Sequence, residues 1–287
     1  MNLKDNLFAA WQYPVPHHLL SRLMGKLTHC RTPWVKLTYM KLIIKRFGVN
    51  MAEAAEQDLE KYEHFNAFFT RALKPGARPI ISEQNKLASP VDGCVSQMGL
   101  INKDQIFQAK GHNYSLSTLL GGDDKWARQF VNGEFATIYL SPKDYHRIHM
   151  PCDARLKEMR HVPGRLFSVN PATVRTVPGL FARNERLVCL FNTPVGPMAM
   201  ILVGAIFVAS IETVWQGVIT PPTHIDIQSS IYGQGMHEVS LKKGDEMGRF
   251  NMGSTVILLF GKGKMKWLED LKAESSVMMG QEIGTIL

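Results

Sequence analysis

The feature that most constrains this chain is an abrupt change of texture at Lys74-Pro75-Gly76. Proline fixes φ and withholds a backbone donor, and the adjacent glycine favours a turn, so a regular element is expected to stop there. Beyond that point, short runs rich in Val, Ile and Phe alternate with Gly, Pro and Asn turns, at residues 135–140, 187–191, 199–211 and 256–260. Branched and aromatic side chains suit a pleated, half-buried surface, and most of these runs have the length of strands. Residues 77–287 therefore read as a mostly-β domain, a barrel or a sandwich. With 45% hydrophobic residues the chain has ample material for a core.

Before the break the pattern is helical. Residues 17–29 follow Pro16, a good helix entry. At about 100° per residue, Leu19, Leu20, Leu23, Met24 and Leu27 share one sector, with His18, Arg22, Gly25 and Lys26 opposite. Residues 34–47 form a second candidate helix with a less clean face, since Lys36 falls among its apolar residues, and 52–73 a third. The fold class expected is α+β: a β-rich, barrel- or sandwich-like core over 77–287 behind an N-terminal amphipathic helical region over 1–76.

Charge follows the same division. Of the net charge of +8, the first fifty residues carry +7, from eight Lys or Arg against Asp5. A local basic patch points to an anionic surface, either nucleic acid or a membrane leaflet. No recognisable nucleic-acid motif accompanies it, so a membrane is favoured. Each basic residue near an anionic leaflet contributes on the order of 1 kcal/mol. The plain alternative is that these helices only pack on the rest of the protein.

The longest apolar run, 198–211, holds fourteen residues, too few to span a bilayer, and no signal-peptide h-region is evident at the start. The expectation is a chain that lies on a membrane rather than crossing it. Cys30, Cys94, Cys152 and Cys189 are widely spaced, which argues against a zinc ribbon and suits a reducing compartment.

Three segments carry candidate chemistry. Ser89-Pro90-Val91-Asp92-Gly93 is, taken alone, a turn. The stretch from Asp144 to Pro151 places His146 and His149 beside an aspartate, offering a general base and an orienting carboxylate. The two histidines could instead be metal ligands, but no nearby Cys, Glu or third His completes a set. Gly253-Ser254-Thr255 is, by itself, an ordinary turn or strand start.

Together these segments resemble the phosphatidylserine decarboxylase family. The resemblance rests on Phe65-Asn66-Ala67-Phe68-Phe69-Thr70-Arg71-Ala72-Leu73-Lys74, on 89–93, and on Asp144-Tyr145-His146-Arg147-Ile148-His149-Met150-Pro151. It continues through Gly164-Arg165-Leu166-Phe167-Ser168-Val169-Asn170-Pro171 and Asn184-Glu185-Arg186 to Phe250-Asn251-Met252-Gly253-Ser254-Thr255. Met252 stands where bacterial members usually have leucine, a substitution that keeps volume and an unbranched Cβ.

The resemblance implies a pyruvoyl-dependent enzyme that makes its own cofactor. The Ser254 hydroxyl would attack the Gly253 carbonyl and turn the peptide bond into an ester. β-Elimination would release residues 1–253 as a large β chain, and loss of ammonia would leave a pyruvoyl group on a small α chain, 254–287. A serine hydroxyl needs a base. The resemblance assigns that role to His149, oriented by Asp92 and by Asp144 as a further candidate, in the manner of a Ser-His-Asp triad. His146 is the candidate acid for decarboxylation through a Schiff base, with neither pyridoxal phosphate nor metal required.

The implied partners are phosphatidylserine, an anionic membrane surface and the protein's own two chains as a heterodimer. A homodimer is left open and no nucleic acid is expected. The expected location is peripheral, on the cytoplasmic face of the membrane. Arg165, Arg183 and Arg186 are candidates for the lipid phosphate. A soluble-substrate pyruvoyl decarboxylase, a membrane-binding β module and a metal hydrolase are the competing readings.

Overall fold

In a computed structural model, the structure describes residues 3–206, 210–220, 226–233, 238–251 and 254–287. The basic N-terminal region forms α1 (Leu3–Ala10), α2 (His17–Thr28) and α3 (Pro33–Phe47). Pro16 immediately precedes α2, and Pro33 begins α3, where its missing N–H costs nothing. Gly48 ends α3 in the left-handed conformation, φ 75°, and its N–H closes on the Ile44 carbonyl at 2.9 Å.

The third expected helix breaks up. Residues 52–73 hold only single turns at Met51–Glu53 and Leu59–Lys61 and the short helix α4 (Phe65–Phe69). Side chains of Asn50, Asp58 and His64 each accept a backbone N–H and start a new turn. The ends of the stretch then pair with each other, Ala55 N donating to Ala72 O and Lys74 N to Glu53 O, both at 2.9 Å. Phe65, Phe68 and Phe69 form a small core with Met40, Val49 and Tyr62.

Beyond Gly76 the texture expectation is met. The largest sheet has nine strands among the described residues. Its order is Gln228–Ile231, Ala154–Val162, Arg186–Thr193, Gly196–Val203, Ser254–Phe260, Glu134–Leu140, Gly93–Leu100 and Ser276–Val277, with Ser240–Leu241 also pairing on Ala154–Val162. Among the described residues the two edge strands do not meet, so the sheet is not a closed barrel.

At the centre of this sheet both faces are dry. Along the central Ser254–Phe260 strand, Val256, Leu258 and Phe260 enter one core cluster while Ile257 and Leu259 enter another. This is the two-residue period of a strand covered on both sides. On the first face lies a smaller sheet of Gly217–Val218, Ser210–Thr213, Glu246–Asn251 and Arg147–His149, whose Ile148, Ile211, Met247 and Phe250 join the same cluster. The result is sandwich-like.

The run 199–211 is not one strand. It pairs with both neighbours as far as Val203, and a separate strand, Ser210–Thr213, belongs to the smaller sheet. At Gly204 an added Cβ would lie 3.2 Å from the Glu185 carbonyl, so the chain leaves the ladder at a close backbone approach.

The N-terminal helices dock on the loop after Gly164. Gln12 accepts from Ser168 N at 2.9 Å, His17 Nδ1 from Leu166 N at 3.2 Å, and Asp5 from Arg175 Nη2 at 2.7 Å. In α2 it is His17, Ser21 and Thr28 that are buried, whereas Leu19, Leu23 and Leu27 are exposed. No helix among the described residues is long and apolar enough to cross a membrane.

Candidate active site

The site is assembled around the entry to the Ser254–Phe260 strand. Gly253 lies outside the described residues, and of Ser254 only the main chain is described. That main chain sits opposite Leu140 in the neighbouring strand. The approach from the other side is fixed by Asn251, which accepts from Asn66 Nδ2 of α4 at 2.9 Å and donates to Ser210. Two segments singled out in the sequence, at 65–74 and 250–255, thus meet through a buried amide pair.

His146 is wholly buried, and its ring stacks on Phe69 with centroids 4.0 Å apart. Neither ring nitrogen has a partner among the described residues. Burial, reinforced by the nearby Arg71 charge, pulls its pKa down to about 3, so the ring is neutral. Its carbonyl accepts from Phe250 N at 3.1 Å, which places His146 at the Asn251 end of the Glu246–Asn251 strand.

His149 pairs at the other end of that strand, opposite Glu246. Its Nδ1 meets the Gly244 carbonyl at 2.8 Å, and a carbonyl only accepts, so Nδ1 carries the proton. Nε2 then keeps a free lone pair, which accepts from the Tyr145 hydroxyl at 3.1 Å. Burial lowers the His149 pKa against a smaller rise from the Gly244 bond, which favours a neutral imidazole.

Asp92 does not hydrogen-bond to His149 as the sequence suggested. Arg78 grips it with Nε at 2.9 and 3.0 Å and Nη2 at 2.6 Å, and Met279 N donates to it at 2.8 Å. Arg78 also reaches Glu53 at 2.8 Å. The segment around Asp92 holds the C-terminal region more broadly, since Ser89 N donates to Gln281 O at 2.7 Å and Gly280 N to Ser89 O at 2.9 Å. Gly93 is required there: an added Cβ would lie 2.4 Å from the Tyr139 carbonyl. Asp144 accepts from Ser141 N at 2.7 Å and braces the turn that leads into His146, while burial raises its pKa.

Two hollows flank this constellation. One, of about 360 Å³, is mostly apolar and runs from Trp11, Tyr39 and Phe47 of the N-terminal region to Phe69, Tyr139 and Leu140. The other, of about 530 Å³, is the more polar of the two and includes Arg71, Arg78, Asp92, Asp144 and Tyr139. Of the arginines suggested for a phosphate, Arg186 is ruled out by saturation. It is buried and donates to the carbonyls of Thr118, Leu119, Ala182 and Asn184 at 2.6–2.8 Å. Arg165 donates to Tyr13 O at 2.5 Å, and Arg183 is exposed.

Sequence reasoning missed Arg78, Tyr145 and Arg71 as parts of the site. Tyr145 and Arg71 lie inside the recognised segments, and Arg78 carries no local signal at all. Chemically, the arrangement offers two neutral imidazoles, a braced carboxylate and an apolar groove at the head of one strand. The partnerless ring nitrogens of His146 leave hydrogen-bonding capacity that suits a small carbonyl-bearing group. Among the described residues, no three His, Cys, Asp or Glu side chains group so as to hold a metal ion.

Comparison with known proteins gives the family of the chain. A family model described as phosphatidylserine decarboxylase matches residues 65–285, and another, described as PSD, matches residues 7–48. A phosphatidylserine decarboxylase proenzyme of Hahella chejuensis is 57% identical over 287 residues, spanning 100% of this chain and 96% of the relative. Proteins of the same name from Stutzerimonas stutzeri and Pseudomonas putida strain F1 are each 56% identical. The first alignment covers 98% of this chain and 95% of the relative, the second 98% of each.

Proposed function

Since this chain belongs to the phosphatidylserine decarboxylase family and is an enzyme that converts phosphatidylserine to phosphatidylethanolamine, we propose that it is cut between Gly253 and Ser254 and that Ser254 becomes a pyruvoyl group. The observation that carries the reading is the convergence at Leu140: it faces Ser254 in the ladder and lines an apolar groove with Phe69, on which neutral His146 is stacked.

His149 takes the Ser254 proton as the hydroxyl attacks the Gly253 carbonyl carbon. Its Nε2 lone pair is available once the Tyr145 hydroxyl gives way. Asp92 acts on His149 as a nearby negative charge, held by Arg78, rather than as a hydrogen-bond partner. Asp144 positions the loop. A pyruvoyl group supplies an electron sink for the pair left behind when carbon dioxide departs. His146, dry and neutral before substrate enters, takes up the proton that the substrate ammonium gives up and returns it at the α-carbon. The exchange of roles between the two histidines is a second reading, favoured by the His146 carbonyl accepting from Phe250 N, close to the cleavage site.

The large and small chains stay together as a heterodimer, because the Ser254–Phe260 strand is central and paired on both sides. Residues 1–76 hold the enzyme on the anionic cytoplasmic leaflet, with the exposed Leu19, Leu23 and Leu27 among acyl chains and Arg22 and Lys26 near phosphates. Residues 77–287 are the catalytic domain.

Intact mass spectrometry tests the central claim. Wild type should give fragments 1–253 and 254–287, the second carrying a ketone in place of its terminal amine, while Ser254→Ala stays whole. His149→Ala should stay whole and His146→Ala should cut yet fail to decarboxylate; the reverse result establishes the exchanged roles. A folded wild-type protein that remains one uncut chain sinks the cofactor assignment.

A further inference from the structure

Arg71 is the least satisfied charge in the described structure. Its residue is 4% exposed, yet Nε and Nη1 have no partner among the described residues. Nη2 donates to the Lys143 carbonyl at 3.1 Å, and the guanidinium sits 5.7 Å from the centre of the Phe68 ring. No carboxylate among the described residues lies within ion-pair distance of it. The closest analogue in the fold, buried Arg186, is saturated by four carbonyls. A buried guanidinium left half-bonded is costly unless something completes it.

Its surroundings say what that is. Arg71 lines the polar hollow of about 530 Å³, and Tyr139 lines both that hollow and the apolar groove beside it. Of the other cations lining the hollow, Arg78 is committed to Asp92 and Glu53, while Lys143 is exposed and unlike Arg71 can be satisfied by water. The Arg71 charge also acts on His146, which sets it close to the proposed chemistry. A diacyl lipid needs such a pairing: an apolar groove for acyl carbon next to a polar hollow with a free cation.

Resting on the function proposed above, we propose that Arg71 binds the phosphodiester of the lipid headgroup. The substrate offers two oxyanions, a carboxylate and a phosphodiester, and energetics selects between them. A cation paired with the departing carboxylate stabilises the ground state more than the transition state, because that charge disperses as carbon dioxide forms. The phosphodiester keeps its charge throughout, so binding it anchors substrate without opposing the reaction. Guanidinium, with its fixed fork of donors, suits a phosphate oxygen pair. Arg71 is thus a binding and specificity residue, distinguishing a phosphodiester-bearing amino acid from a free one.

The test uses the full-length Ser254→Ala precursor, which carries no ketone, so its outcome is independent of the cofactor assignment. Glycerophosphoethanolamine, which has the phosphodiester and no carboxylate, is titrated in with phosphorus NMR as readout. The Ser254→Ala protein should bind it, Arg71→Lys in that background should bind several-fold more weakly, and Arg71→Gln at least tenfold more weakly. Thermal unfolding of the Arg71→Gln protein should be unchanged or raised, because an unpaired buried charge has gone. Equal affinity with and without Arg71, absence of binding by the Ser254→Ala protein, or a large fall in melting temperature on Arg71→Gln would each overturn the assignment.

Discussion

The nine-stranded sheet and helix α2 bury their residues by opposite rules. In the Ser254–Phe260 strand, Val256, Ile257, Leu258, Leu259 and Phe260 are all fully buried, covered on one face by the smaller sheet and on the other by helices and loops. In α2 the polar His17, Ser21 and Thr28 face the protein, while Leu19, Leu23 and Leu27 are 55%, 53% and 44% exposed. A core strand is defined by what it excludes. A helix that shows its leucines is built for a second apolar phase, and its docking on the protein is left to hydrogen bonds such as that from Leu166 N to His17.

The largest effect that could break this contrast is in the core. Leu258→Ala should cost about 2–5 kcal/mol in denaturant-induced unfolding, since both faces are too closely covered to collapse onto the gap. A loss below 1 kcal/mol would mean that the sheet is not packed as described.

Acid should sharpen it next. His146 has a folded pKa depressed to about 3, below its unfolded value, so the unfolded state takes up the proton first. Stability is therefore unaffected above the unfolded pKa and falls as pH drops from about 6.5 towards about 3, by roughly 1.4 kcal/mol per pH unit for one proton. His146→Phe should flatten that slope by about one proton in unfolding curves taken between pH 6 and 4, while leaving contributions from other groups in place.

On α2 the expected readout moves from stability to membrane binding. Leu23→Ser should leave unfolding within about 0.5 kcal/mol of wild type but weaken co-sedimentation with anionic vesicles by roughly tenfold. If stability falls instead, the leucine face is a core face and the contrast fails. Smallest is Lys26→Gln, expected to weaken vesicle binding by about 1 kcal/mol, a difference that should shrink as salt is raised.

Much of this was legible in the chain itself, for identifiable reasons. The strand at 256–260 announces itself because five consecutive apolar residues can be satisfied only where both faces are covered. The break at Lys74-Pro75-Gly76 holds because proline and glycine act locally. The helix expected over 52–73 failed because Asn50, Asp58 and His64 each cap a fresh turn, and a capping side chain reads in sequence like any polar residue on a helix. The run 199–211 misled in the opposite way: its composition is uniform, but ladder pairing stops at Val203, and Gly204 N bonds the Glu185 carbonyl instead.

The site divides along the same line. Sequence alone determined which residue types are available for chemistry, the order of their segments, the strand that carries Ser254 and the concentration of positive charge before Gly76. Each of these depends on neighbours in the chain, where periodicity, turn chemistry and motif order leave a direct mark. Only the tertiary structure decided that Asp92 belongs to Arg78 and to Met279 N, that His149 is held by Gly244 and Tyr145, that α2 turns its leucines outward, and that Arg71 lacks a counter-anion among the described residues. Those outcomes depend on which of many chemically equivalent donors and acceptors the fold brings within about 3 Å, a choice that hydrogen-bond geometry makes and local pattern does not encode.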